Sequence, residues 1–167
     1  MKRIFTVSHH GAMPAVMNRL AYKEISPSAY RALLALEGHV RKSGLENELI
    51  ELVYLRVSQI NGCAFCIDMH DKDLRAAGEK PERLALLPVW REAPSFTPRE
   101  RAALAYAEAV TVLGHDPVAD SVYEAARAEL GDAALVELTL AVATINVWNR
   151  VNIAFRAPPG AYQPRAG

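Results

Sequence analysis

The chain of 167 residues is long enough to bury a hydrophobic core as a single domain. Apolar residues make up 51% and charged residues 23%, and nineteen basic side chains balance nineteen acidic ones, so no net field draws the protein to nucleic acid or to an anionic membrane. No apolar run reaches the roughly 18 residues of a membrane span, and Ser8, His9 and His10 interrupt any signal-peptide core behind Met1-Lys2-Arg3. Two cysteines are too few for a secreted disulfide scaffold, so the expected compartment is the reducing cytoplasm, where a close thiol pair calls for a chemical explanation.

In chain order the sequence reads as helix after helix. Ser26-Pro27 has the form of an N-cap followed by proline at the first helical position, and helix formers continue to Val40. Gly38 and Gly44 bracket a break. Leu45 to Ile60 is apolar nearly all round, which predicts a central buried helix, stopped by the turn signal Asn61-Gly62. A further helix runs from about Cys63 to Ala77 and ends at Gly78.

Pro81 to Trp90 reads as short helical pieces cut by Pro88. Thr97-Pro98-Arg99-Glu100 is a capping box that opens a helix to about Leu113. Another helix follows Asp116-Pro117 and stops before Gly131, and Asp132 opens a long one to about Ala154. The tail from Arg156 is irregular, placed to be mobile or to pack on a neighbour. No period-2 strand is present, so the class is all-α. The stretch "ELVYLRVSQINGCAFC" from Glu51 is echoed by "ELTLAVATINVWNRV" from Glu137, a pattern that a duplicated helical pair would leave.

Both cysteines fall in "QINGCAFCIDMH", residues 59–70. At 100° per residue Cys63, Cys66, Ile67, His70, Leu74 and Ala77 share one helical face, while Asp68, Asp71, Lys72 and Arg75 occupy the other. Two thiols and an imidazole thus point inward near a helix start, where partial positive charge favours a thiolate. Cys66 and His70 are one turn apart, a spacing that suits proton exchange.

Several chemistries compete for such a motif. A structural zinc site wants four ligands, and there is no second CxxC. A c-type haem motif needs histidine directly after the second cysteine, where Ile67 stands. A thioredoxin fold needs strands. Two thiols buried for packing beside a satisfied core histidine are the bland reading, and a redox dithiol on a helical scaffold is the sharper one.

Glu51, Cys63, Cys66 and His70, with the surrounding "ELVYLRVSQINGCAFCIDMHDKDLRAAG", resemble the core of the alkylhydroperoxidase D-like (AhpD-like) proteins of the carboxymuconolactone decarboxylase superfamily. "WREAPSFTPRERAALAYAEAV" and "VELTLAVATINVWNRVNIAFR" resemble the same group, so the likeness covers nearly the whole chain. The resemblance implies an all-α fold assembled as homo-trimers or homo-hexamers, and peroxidase chemistry without metal or other cofactor. Cys66 would become a sulfenic acid, Cys63 would act as proton donor and resolving thiol, and Glu51 with His70 would form a relay through water that deprotonates Cys66. The substrate would be a hydroperoxide, and an external dithiol, a lipoyl group or a thioredoxin-like protein, would reduce the resulting disulfide.

One departure stands out. Well-known peroxidases of the group carry histidine just before the second cysteine, where this chain has Phe65. The branch that gives the superfamily its name lacks the cysteine pair, so decarboxylation is not the expected activity.

A different class of function fits the same residues: a non-catalytic redox sensor or regulatory partner switched by a Cys63–Cys66 disulfide. Continuous peroxide consumption separates the enzyme from the sensor. Glu51 also has a bland alternative, since Glu48, Ser58 and Gln59 lie near it on the helical wheel and would form a narrow solvated strip. His9-His10, His39 and His115 are expected as polar or surface groups; Trp148, Asn149 and Arg150 would line the site if a duplication set the second helical pair against the first, and core and interface packing is the preferred expectation for them. The apolar helices at 45–60 and 132–154 carry enough hydrophobic surface to predict a homo-oligomer.

Overall fold

Leu49 to Leu55 is a run of large apolar residues interrupted only by Glu51, and it can be satisfied only by burial on more than one side. The structure, a computed structural model describing residues 18–114 and 118–164, does this by packing other helices around that segment. Among the described residues eight α-helices follow one another: α1 (Tyr22–Ile25), α2 (Pro27–Val40), α3 (Asn47–Asn61), α4 (Ala64–Ala76), α5 (Pro81–Leu86), α6 (Pro98–Thr111), α7 (Asp120–Leu130) and α8 (Asp132–Phe155), with a 3-10 turn at Leu87–Val89. No strand occurs among the described residues. His9, His10, His115 and the Asp116-Pro117 helix start lie outside them.

Helix α3 is the hub, packed against α4, α6 and α8. Leu49, Ile50, Val53, Tyr54 and Val57 join a core with Ala103 and Ala107 of α6, and with Leu138, Val142 and Ile145 of α8. Leu52 and Leu55 turn to a second cluster with Leu74, Leu84, Leu87, Trp90, Phe96 and Leu104. The apolar excess of α3 is therefore covered within the chain. On α8, Val136 and Ile153 remain exposed.

Turn chemistry sets the helix ends. Gly62 takes the left-handed conformation (φ 69°) that closes α3, and the Cys63 amide donates to Ser58 O at 3.0 Å. Only Gly62 and Cys63 separate α3 from α4, so the two helices fold back on each other with the thiol pair at the corner. The capping box at Thr97 is formed in both directions: Thr97 Oγ1 accepts from the Glu100 amide, and Glu100 Oε2 accepts from the Thr97 amide.

Three local expectations need correction. Ser26 stands at the N-cap of α2, but its side chain makes no capping bond. Gly38 lies inside α2, and the break begins only at Arg41, with Gly44 at φ 91°. The tail packs on its own α4: Gly160 N donates to Asp68 Oδ2 at 2.9 Å, Lys72 Nζ donates to Gly160 O and Tyr162 O, and Tyr162 OH donates to Asp73 Oδ1 at 2.7 Å. The stretch echoing α3–α4 stays one helix, because Asn146-Val147 continues α8 where Asn61-Gly62 breaks the first copy.

Two glycine substitutions should act with opposite sign. Gly62→Ala places a side chain in the left-handed region and should cost about 1–2 kcal/mol in urea unfolding. Gly38 is helical, and a Cβ there meets nothing within 4 Å, so Gly38→Ala should stabilise by about 0.5–1 kcal/mol.

Candidate active site

Cys63 is the N-cap residue of α4 and Cys66 lies in its first turn. Both are buried and reduced, with their Sγ atoms 2.9 Å apart. At that distance the pair titrates as one unit, since a thiolate on either sulfur is stabilised by the remaining S–H. Cys63 is the more acidic of the two. Its hydrogen bond with Cys66 lowers its pKa to about 7 against the cost of burial, with smaller help from the Cys66 amide, Asn149 and the Phe65 amide. The Cys66 thiol is pushed up, first by the Cys63 bond and then by burial.

One turn beyond Cys66, buried His70 meets Glu51 of α3, with Nδ1 and Oε2 2.6 Å apart. Because the carboxylate accepts, Nδ1 carries the proton and Nε2 is the open nitrogen of the ring. Nε2 is buried and has no hydrogen-bond partner among the described residues. It does not touch Cys66 directly, so proton exchange between them needs a bridging water. The ring is held edge-on to Tyr54 at 5.2 Å.

Glu51 does not belong to a solvated strip. Its Oε1 accepts from Arg41 Nη2 at 2.5 Å, and Arg41 also donates from Nε to Glu37 Oε1 at 2.7 Å and lies 5.2 Å from the centre of the Tyr54 ring. Burial alone would raise the Glu51 pKa, but His70 and Arg41 outweigh it and hold the carboxyl below its ordinary value.

The other wall of the site comes from α8. Asn152 Nδ2 donates to Cys66 Sγ at 3.4 Å, and Asn149 Nδ2 donates to Ser58 Oγ at 3.0 Å. Asn61 Nδ2 donates to the Oδ1 atoms of both Asn146 and Asn149, each at 2.9 Å. From α1, Tyr22 OH donates to Asn152 Oδ1 at 3.4 Å while its ring stacks on Phe155 at 5.3 Å.

Residues 27–109 match the carboxymuconolactone decarboxylase family. An uncharacterized protein of Bacillus subtilis, YdfG, is 38% identical over 136 residues, which span 81% of this chain and 92% of that protein. The chain belongs to the carboxymuconolactone decarboxylase family. Within the family its likenesses include AhpD proteins. A crystal structure from Agrobacterium tumefaciens, of a protein of unknown function and candidate antioxidant defence protein AhpD, is 42% identical with a TM-score of 0.83. It matches over 87% of this chain and 100% of its own. The alkyl hydroperoxide reductase AhpD of Bradyrhizobium diazoefficiens is 34% identical over 74 residues, 41% of each chain. No single helix among the described residues is long and apolar enough to cross a membrane.

The fold of this family member brings together all four residues singled out from sequence: Glu51, Cys63, Cys66 and His70. Phe65, between the cysteines, packs partly buried against the main core. Asn149 is no mere packing residue, because it sits beside the thiols. Trp148 packs edge-on to Tyr30, and Arg150 is exposed and bonds back to Asn146. His39 is a surface group paired with Glu137. Arg41, Asn152 and Tyr22 had no place in the sequence reading. The spacing Asn146, Asn149, Asn152, three amides on one face of an apolar helix, is the signal that could have found the α8 wall.

Glu51, His70 and Asp73 bring potential ligand atoms within 4.8 Å of one another. Arg41 already neutralises Glu51 and Tyr162 donates to Asp73, so the set suits proton handling better than a cation.

Because the folded pKa of Glu51 lies below its unfolded one, its bonds stabilise the fold above about pH 4.3. That contribution is lost as pH falls through the folded value. Arg41→Gln should therefore cost about 1–3 kcal/mol at pH 7, with the gap to wild type closing below the carboxylate range. In a Glu51→Gln background the same change should cost less, and urea unfolding from pH 3 to 7 reads both effects.

Proposed function

We propose that the chain is a thiol-dependent peroxidase that reduces a hydroperoxide through a Cys63–Cys66 dithiol/disulfide cycle. The observation that carries this reading is the reduced pair at 2.9 Å beside the Glu51–His70 couple. The likeness to AhpD proteins supports the substrate class.

Through a bridging water, His70 Nε2 takes the Cys66 proton, and the Cys66 thiolate attacks the distal oxygen of the hydroperoxide. The O–O bond breaks, the leaving alkoxide takes the proton of the Cys63 thiol, whose sulfur lies 2.9 Å from that of Cys66, and Cys66 is left as a sulfenic acid. Cys63, now a thiolate, attacks the Cys66 sulfur and forms the disulfide. The expelled hydroxide takes back, through water, the proton held by the His70–Glu51 couple and leaves as water. An external dithiol, a lipoyl group or a thioredoxin-like protein, then supplies two electrons and two protons to restore the pair. In this scheme Cys63 is the proton donor and the resolving thiol, which gives its lowered pKa a use. The chain would act as a homo-trimer or homo-hexamer in the cytoplasm.

Both sulfurs are buried, so a hydroperoxide reaches them only when part of the cover moves. Helix α1 is the part most easily lifted, since none of its four residues is buried. Arg19 N–Phe155 O and the Tyr22 contacts hold it to the end of α8.

Peroxide consumption with dihydrolipoamide as donor is the direct test. Steady turnover is expected, and a single stoichiometric oxidation would instead favour the redox-sensor reading. Cys63→Ser should trap a dimedone-reactive sulfenic acid at Cys66 without turning over, and Cys66→Ser should show neither. Label on Cys63 in the Cys66→Ser protein would reverse the roles. Glu51→Gln should slow Cys66 oxidation about 100-fold while the protein stays folded.

A further inference from the structure

Helix α8 carries polar side chains where its neighbours would let it carry apolar ones. Asn149 and Asn152 are buried on a helix whose other buried residues, Thr144 apart, are apolar, with Leu138, Val142 and Ile145 among them. A buried amide gains little net stability from its hydrogen bonds and can usually be replaced by an apolar group of similar shape. Packing therefore gives no reason for an amide at Asn152. Its surroundings do give one: Nδ2 faces Cys66 Sγ at 3.4 Å, and Oδ1 is turned away to accept from Tyr22 OH at 3.4 Å.

We propose that Asn152 is a catalytic residue of this site, its amide N–H binding the Cys66 sulfur in anionic form, with Tyr22 as the positioning residue that orients the amide. The inference rests on the reading of Cys66 as the sulfur that reacts. An amide has a donor end and an acceptor end, and only the donor end can stabilise a thiolate. A phenol donating to Oδ1 ties up the acceptor end and fixes that choice. With α1 in place, Tyr22 is held by its ring, which is stacked on Phe155, one helical turn beyond Asn152.

The charge balance around Cys66 explains why a neutral donor is used. The titratable groups near it are Cys63 at the start of its own helix, His70 one turn on, Glu51 reaching His70 from α3, and Tyr22 from α1. Tyr162, from the C-terminal segment, is bonded to Asp73 on the polar side of α4. The inner face of α8 adds only amides, while Arg150 turns outward to Asn146. Among the described residues no cation is therefore in position to hold the thiolate. The Cys63 bond and burial push the Cys66 thiol up, and Asn152 followed by Asn149 pulls it back.

Cys63→Ser leaves Cys66 as the sole thiol of the chain, and its ionisation can be followed by thiolate absorbance near 240 nm without any peroxide. Asn152→Leu and Asn152→Asp in that background should each raise the Cys66 pKa by about one unit or more. Tyr22→Phe should raise it by a smaller amount. The aspartate variant keeps the shape of asparagine, and far-UV circular dichroism establishes that each protein is folded. An unchanged pKa in a folded Asn152→Asp protein overturns the inference, and so does a fall. Because no turnover is measured, a shift in pKa supports the thiolate contact even if the chain proves unable to consume peroxide.

Discussion

Enclosure of α3 on both flanks is the constraint from which the site follows. With Ile50, Val53 and Val57 turned to one core and Leu52 and Leu55 to another, the helix cannot rotate or slide without exposing large apolar side chains. That fixes the position of Glu51 on the helix and of Gly62 at its end. The left-handed turn at Gly62 then leaves α4 one direction in which to run, back along α3. Glu51 and His70, distant in sequence, meet because these two antiparallel helices bring them level. The dithiol stands at the corner because Cys63 is both the last residue of the turn and the cap of the next helix.

A carboxylate in so apolar a helix must be compensated. The route runs from Glu37 through Arg41 to Glu51 and on to His70, each contact at or below 2.7 Å. Arg41 is the element that makes the chain of charges tolerable: it carries one positive charge between two negative ones, with its guanidinium against the Tyr54 ring. Tyr54 in turn donates to Glu37 and packs against His70, so one buried tyrosine braces both ends of the network. Fixing His70 through Nδ1 leaves Nε2 as the only ring nitrogen open to a water or substrate.

Elements whose ends are written in local chemistry were legible in the sequence. The Thr97–Glu100 capping box, the Asn61-Gly62 stop and the Asp132 start all depend on residues within one turn of the boundary, and each stands where expected. Helix α1 was not legible, because four residues are too few to show a period. Gly38 misled because a glycine signals a helix end only when the chain needs a left-handed residue, and α2 does not need one there. At the site, Glu51, Cys63, Cys66 and His70 could be read because their spacings lie on adjoining helices. Arg41 and Asn152 could not: Arg41 sits in the link after α2 and Asn152 lies 86 residues beyond Cys66, so their contacts exist only once the helices have packed.

The two helices that flank α4 present opposite chemistry to it. Helix α3 offers an acceptor, the Glu51 carboxylate behind His70, and α8 offers a donor, the Asn152 amide. A thiol placed between an acceptor and a donor can lose its proton toward one side while its charge is held from the other. Neither side need carry a full positive charge next to sulfur, which would stabilise the thiolate so strongly that it became a poor nucleophile. In the proposed cycle two tasks that a histidine just before Cys66 could have combined are separate: with Phe65 in that place and packed into the core, the proton path lies on the α3 side and the stabilisation of charge falls to α8.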